Sequence, residues 1–257
     1  MCLLLLALRV VPDRPWLLLA NRDEFHARPS AAADFWKDKP DVFGGRDLVA
    51  GGSWLALNRG GRYAAVTNVR TGGQTTAPRS RGALVADFVA DFVADSASVG
   101  DYATNVAAQR EQYGPFNLLM GDAAGAVFVS SLDGEPRHLE TGVHAFSNGS
   151  RDDEWPKMRQ LRTRFSNLLQ HGTADDAALL DLLQDESQPD ESDLPDTGVG
   201  PVLERALAPI FIRGEAYGTR ASTLAYARTD GSLVLIERSF GPHGVRAGEA
   251  RADTQDT

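Results

Sequence analysis

One cysteine, Cys2, stands in a chain of 257 residues, so there is no intrachain disulfide framework and a reducing compartment suits it. Lysine is nearly missing too: only Lys37, Lys39 and Lys157 occur, and arginine supplies the remaining basic charge. Acidic residues outnumber basic ones, 35 to 26, for a net charge of -9. A nucleic acid needs a basic surface for its phosphates, so it is excluded as a main partner. No apolar run approaches the roughly 20 residues that cross a bilayer, and no transmembrane segment is expected. The opening run from Met1 to Leu8 lacks a basic region before it and a small-residue cleavage site after it. It therefore reads as a buried strand and not as a signal peptide, with the cytoplasm as the expected location. His26, His138, His144, His171 and His243 show no ligand spacing, and one cysteine cannot complete a metal site with them. Gly44-Gly45 and Gly51-Gly52 lack the context of a phosphate-binding loop.

What is present is an alternation of two periods. Cys2–Val11 and Trp16–Phe25 read as a hairpin, apolar at nearly every position, so both faces of its sheet should be covered. Strands are expected near Leu48–Ala50, Trp54–Asn58 and Tyr63–Val69, with glycine pairs at the turns. Leu84, Val85, Phe88, Val89, Phe92 and Val93 then form one stripe of a helix over 80–94, and a second helix covers Ser98–Tyr113. Strands return at Phe116–Met120, Val127–Ser131 and His144–Ser147. Trp155–Gln170 and Ala174–Leu183 are again helical, Asp185–Gly198 is a loop, and a short helix lies near Val202–Leu207. Ser222–Arg228 and Leu233–Phe240 close the pattern. No repeat, heptad or long linker divides the chain, so residues 1–240 are expected to form a single domain. Residues 241–257 carry almost no large apolar side chain and are expected to be a disordered tail. Tight turns imply antiparallel pairing, and strands apolar on both faces imply two stacked sheets with helices outside.

The polar residues at strand ends are the candidates for chemistry. Removal of Met1 would give Cys2 a thiol and a free α-amine on one residue. Such an amine titrates near pH ~7.7–8.0 and can act as a base near neutrality. The alternative for Cys2 is an inert small hydrophobe. Asn21-Arg22-Asp23-Glu24 ends the second strand, where a tight hairpin would return Asp23 toward Cys2 to hold the ammonium. Arg22 and Glu24 take the opposite face; a solvated charge cluster is the competing reading. Thr67-Asn68-Val69-Arg70 and Ser147-Asn148-Gly149 each end a strand with an amide that can donate to an oxyanion, although Asn-Gly is also a turn signal. Tyr217-Gly218-Thr219-Arg220 opens a late strand. Arg220 can pair an acid such as Asp23, or lower the pKa of a nearby thiol.

These motifs, together with Gly51-Gly-Ser-Trp-Leu-Ala-Leu-Asn58, Trp155-Pro-Lys157 and Leu194-Pro-Asp-Thr-Gly198, resemble the NRDE-motif family, that is, the Transport and Golgi organisation protein 2 family. The resemblance runs from residue 2 to about 240. That family is similar in pattern to N-terminal-nucleophile hydrolases of the penicillin V acylase and bile-salt hydrolase group. The resemblance implies an α+β fold, a four-layer αββα sandwich of two mostly antiparallel sheets. It also implies roles: Cys2 as nucleophile with its amine as base, Asp23 near that amine, Asn68 and Asn148 near the oxyanion, and Arg220 beside the thiol. Arg22 directly before Asp23 departs from the acylase pattern, in which the Arg lies a few residues earlier. Two functions follow as expectations. One is a hydrolase or acyltransferase for a linear amide or acyl compound, needing no cofactor. The other is a non-catalytic binder or carrier of haem, lipid or acyl-coenzyme A on the same fold.

Overall fold

Leu3–Val11 (β1) buries both faces, as its almost unbroken apolar sequence requires. It pairs antiparallel with Arg14–Phe25 (β2) on one side, Leu3 opposite Asn21, and with Gly142–Phe146 (β10) on the other, Leu4 opposite Phe146. The structure is a computed structural model that describes residues 3–72, 76–90 and 98–255. Cys2, and residues 91–94 of the helix expected over 80–94, lie outside the described residues.

Tyr217–Ala227 (β11), Leu233–Phe240 (β12) and Arg246–Asp253 (β13) complete a six-stranded sheet in the order β10-β1-β2-β11-β12-β13. The second sheet has seven strands in sequence order: Ser30–Trp36 (β3), Lys39–Asp47 (β4), Leu55–Asn58 (β5), Tyr63–Asn68 (β6), Phe116–Gly121 (β7), Ala126–Ser130 (β8) and Arg137–His138 (β9). All strand pairs in both sheets are antiparallel.

The strand period of two sorts the side chains into layers. Leu4, Leu6 and Leu8 of β1 meet Trp54, Leu57, Tyr63 and Phe128 between the sheets. Leu3, Leu5 and Ala7 face outward onto Pro156–Gln170 (α3) and Asp176–Asp181 (α4), through Met158, Leu161, Phe165 and Leu179. On the far side, Val66, Leu118 and Met120 pack against Leu84, Val85 and Phe88 of Arg81–Ala90 (α1), and Val129 lies in the same cluster as Tyr102 and Val106 of Val99–Ala108 (α2). The result is the four-layer αββα sandwich of an N-terminal-nucleophile-hydrolase-like α+β fold, with each fully buried leucine worth about 1.5–3 kcal/mol. No helix among the described residues is long and apolar enough to cross a membrane.

Several segments depart from the sequence reading: β9 is not among the expected strands, β11 begins at Tyr217 and not Ser222, and two departures are larger. A hairpin, β3–β4, occupies residues 30–47, and Leu48–Ala50 forms its following turn instead of a strand. The expected disordered tail is corrected as well: Arg246–Asp253 pairs along β12, from Arg246 opposite Phe240 to Asp253 opposite Val234. Its order comes from ladder hydrogen bonds and from the fork of Arg228 on Asp253, at 2.9 and 2.6 Å, and neither requires large apolar side chains.

Candidate functional site

One end of the sandwich gathers the starts of β1 and β11 and the finishes of β2, β6 and β10. There the polar strand-end motifs meet around a cleft of about 490 Å³, lined by Arg22, Asp23 and Glu24, by Ser53 and Trp54, by Asn68, and by Arg79 and Arg81. The segment Gly51-Gly52-Ser53-Trp54 reaches the cleft because Gly52 lets the chain pass close to α1. A Cβ on Gly52 would lie 2.3 Å from the Gly82 carbonyl carbon, and Ser53 N donates to Gly82 O at 3.1 Å.

The four residues of the Asn21–Glu24 motif divide between faces. Asn21, fully buried, donates to the carbonyls of Leu183 and Ile210 and accepts from Ser222 Oγ at 2.7 Å. It ties β2 to the outer layer and has no donor left for a substrate. Asp23, 4% exposed, accepts from Thr219 Oγ1 at 2.6 Å, and that hydroxyl in turn accepts from Ile212 N. Arg22 faces the inter-sheet side with its guanidinium carbon 4.2 Å from the centre of the Trp54 ring, and Glu24 lies 3.8 Å from Nη2. Burial lowers the Arg22 pKa below its ordinary value, with Glu24 opposing the shift.

Asn68 and Asn148 also meet. Asn148 Nδ2 donates to the backbone O of Asn68 at 2.9 Å and to its Oδ1 at 3.0 Å. Two acceptors around one nitrogen fix which way this amide points, since the flipped amide would set oxygen against oxygen. Asn148 is therefore held with both amide hydrogens on Asn68, while Asn68 lines the cleft. The pair is anchored from behind. Arg70 N donates to Asn148 O at 2.6 Å, and Thr67 Oγ1 and Asn117 Nδ2 donate to Ser147 O.

Arg220 is placed differently. The ladder pairs Thr219 with Asp23 but Ala221 with Arg22, so Arg220 is the extra residue of a β-bulge. Its Nη1 donates to the carbonyls of Phe25, at 3.3 Å, and Arg28, at 2.5 Å. Its guanidinium is used on these carbonyls, and Asp23 takes the neighbouring Thr219 hydroxyl instead. Asp23 and Asn68 thus share the cleft, Asn148 orients Asn68, and Arg220 lies beyond the Arg22–Trp54 wall. Sequence reasoning gave no role to Trp54, Thr219, Arg28 or Arg79. Trp54 and Thr219 stand inside motifs noted for the resemblance, which was the available signal; Arg28 and Arg79 had none.

The comparisons agree with this architecture. The model of the family described as Transport and Golgi organisation 2 matches residues 1–242. A Transport and Golgi organization protein 2 homolog from Bos taurus is 33% identical over 243 residues, covering 87% of this chain and 86% of the relative. The Homo sapiens homolog is 32% identical over 246 residues, covering 87% and 86%. Among solved structures, the C2A mutant of a conjugated bile acid hydrolase from Clostridium perfringens superimposes with a TM-score of 0.55 at 8% identity, covering 100% of this chain and 93% of that one. That likeness is one of fold. The chain belongs to the Transport and Golgi organisation 2 family.

Proposed function

We propose that the protein is an N-terminal cysteine hydrolase or acyltransferase acting on a linear amide or related acyl compound. The observation that carries this reading is the level at which β1 starts. Leu3 pairs with Asn21 and Leu4 with Phe146, so the described start of β1 lies between the strand ends that lead into Arg22-Asp23 on one side and Ser147-Asn148 on the other. Cys2 directly precedes Leu3 in the sequence. The thiol of Cys2 attacks the carbonyl carbon, and its α-amine, freed by removal of Met1, accepts the thiol proton. Asn68 donates its amide to the developing oxyanion, and Asp23 holds the charged amine. The amine then returns the proton to the leaving nitrogen, the C–N bond breaks, and an acyl-thioester remains. Water or a second amine takes the acyl group and restores the thiol.

Intact mass and labelling with an acyl-amide electrophile test this together. Loss of Met1, one adduct on Cys2, and none in Cys2→Ala are expected. Retained Met1, or labelling no faster than a free thiol, overturns the proposal. A second reading has its own support in the arginines of the cleft, Arg22, Arg28, Arg79 and Arg81, which suit an anionic head group. In it the protein binds or carries haem, a lipid or acyl-coenzyme A without turnover. Saturable binding of hemin or acyl-coenzyme A by Cys2→Ala, with no acylation of the wild type, would favour this carrier.

A further inference from the structure

A second cleft, of about 410 Å³, opens on the other side of the wall formed by Arg22 and Trp54, between the inner face of β11–β13 and the edge strand β3. Its sides are built from small residues, among them Ala31, Ala32 and Gly248. Its floor is polar and buried. Trp54, 6% exposed, has its side-chain N–H against Glu237, while the buried Nε of Arg220 makes no hydrogen bond among the described residues. Arg22 contributes a second guanidinium, whose nearest carboxylate, Glu24, is 3.8 Å away. Among the described residues one acid sits on this floor, Glu237, whose oxygens accept from Ala33 N at 2.9 Å and Thr223 Oγ1 at 3.3 Å and which also takes the Trp54 side chain. Glu249 at the rim is already paired with Arg238 and Arg246.

Two cations, Arg22 and Arg220, therefore share a wall, and the buried Nε of Arg220 has no acceptor among the described residues. An anion placed between them relieves their repulsion and accepts from the unused Nε–H of Arg220. The small side chains leave room for a short apolar tail, at a volume typical of small-molecule sites. We propose that this cleft is a separate binding site for a small organic carboxylate, with its charged group between Arg220 and Arg22. The site stands independently of any chemistry at Cys2.

The probe is hexanoate, titrated calorimetrically into the full chain, with hexanol as the neutral control. Saturable binding of hexanoate and none of hexanol is expected. Loss of one charge-assisted hydrogen bond weakens binding by about tenfold or more, so Arg220→Gln should show at least that. Gly248→Trp should abolish binding by filling the cleft, because a Cβ there meets nothing within 4 Å and the variant backbone is unstrained. Arg79→Gln, across the Arg22–Trp54 wall in the first cleft, should leave the affinity within about twofold, because Arg79 does not line the second cleft. Failure of hexanoate to saturate overturns the proposal, and so does binding that survives Gly248→Trp in a protein that unfolds like the wild type. If Gly248→Trp does not fold, Ala31→Phe on exposed strand β3 makes the same test.

Discussion

Glu237 is 2% exposed in the layer between the sheets, and burial pushes its carboxyl above the usual range against the opposing pull of its hydrogen bonds and of Arg22. The sign of its effect on stability follows. A raised folded pKa leaves the contribution intact below the unfolded value near 4.5 and removes it as pH rises through the folded value. Glu237→Gln keeps an acceptor for Ala33 N and has no proton to lose. The variant should match the wild type near pH 4 and exceed it at pH 8, by about 2–4 °C in melting temperature for each 1 kcal/mol at this chain length. Thermal melts from pH 4 to 8 check this, and a variant less stable at pH 8 would show that Arg22 holds the carboxylate charged. The same scale separates the two asparagines. Asn68→Ala removes the proposed oxyanion donor and should slow acylation of Cys2 by about 10²-fold or more. Asn148→Ala removes both hydrogen bonds that orient Asn68 but leaves its amide in place, and should cost less than Asn68→Ala. Equal losses in both variants would erase the distinction between donor and positioning residue.

Strand β13 shows how an element can form without an apolar pattern. Its sequence, Arg-Ala-Gly-Glu-Ala-Arg-Ala-Asp, has no β-branched or aromatic residue, and its ladder to β12 depends on backbone groups and on Asp253. The Arg228 fork holds Asp253 down to about 2, with burial opposing. A depressed carboxyl contributes stability above its unfolded value of ~3.9 and loses it as pH falls toward the folded one. Asp253→Asn should therefore cost about 1.5–3 kcal/mol at pH 7, with the gap closing between pH ~4 and ~2. Amide exchange should quicken first along residues 246–253. Unchanged protection there would mean that the ladder alone holds the strand. The contrast with other elements explains what the sequence made legible. Leu233–Phe240 matches β12 residue for residue, and Trp155–Gln170 differs from α3 only in Trp155, which is its N-cap. Both carry strong apolar patterns because both bury a face. The β3 strand, Ser-Ala-Ala-Ala-Asp-Phe-Trp, alternates weakly and lies at a sheet edge, so nothing in its spacing marks it.

At the scale of the molecule, residues 23, 68, 148 and 220 come to one end through the sheet order, and no spacing rule connects them. The strand-end motifs gave the positions; the register gave the meeting of Asn68 with Asn148 and the bulge at Arg220. One further tie crosses between the layers there. Arg70, just beyond β6, forms an ion pair of 2.6 Å with Glu204 on Pro201–Ala206 (α5), with side chains 10% and 3% exposed. The other oxygen of Glu204 accepts from Thr197 N and Oγ1 at 2.7 and 2.5 Å, so the loop bearing Leu194–Gly198 is fastened to the second sheet. Arg70 also stacks over Trp155, and its backbone N holds Asn148 O. Glu204→Ala would leave Arg70 buried without its partner, at a cost of about 3–5 kcal/mol. That corresponds to a fall of roughly ten degrees in melting temperature. Replacing both partners with apolar residues, Arg70→Met with Glu204→Leu, should restore part of the stability, because no charge is then stranded. It should not restore the Thr197 hydrogen bonds, so acylation of Cys2 stays slow if the loop must be held for Asn148 to stand correctly. Stability regained together with full acylation would reduce the pair to a structural tie, and Glu204→Ala within about 1 kcal/mol of the wild type would show that it does not bind the layers at all.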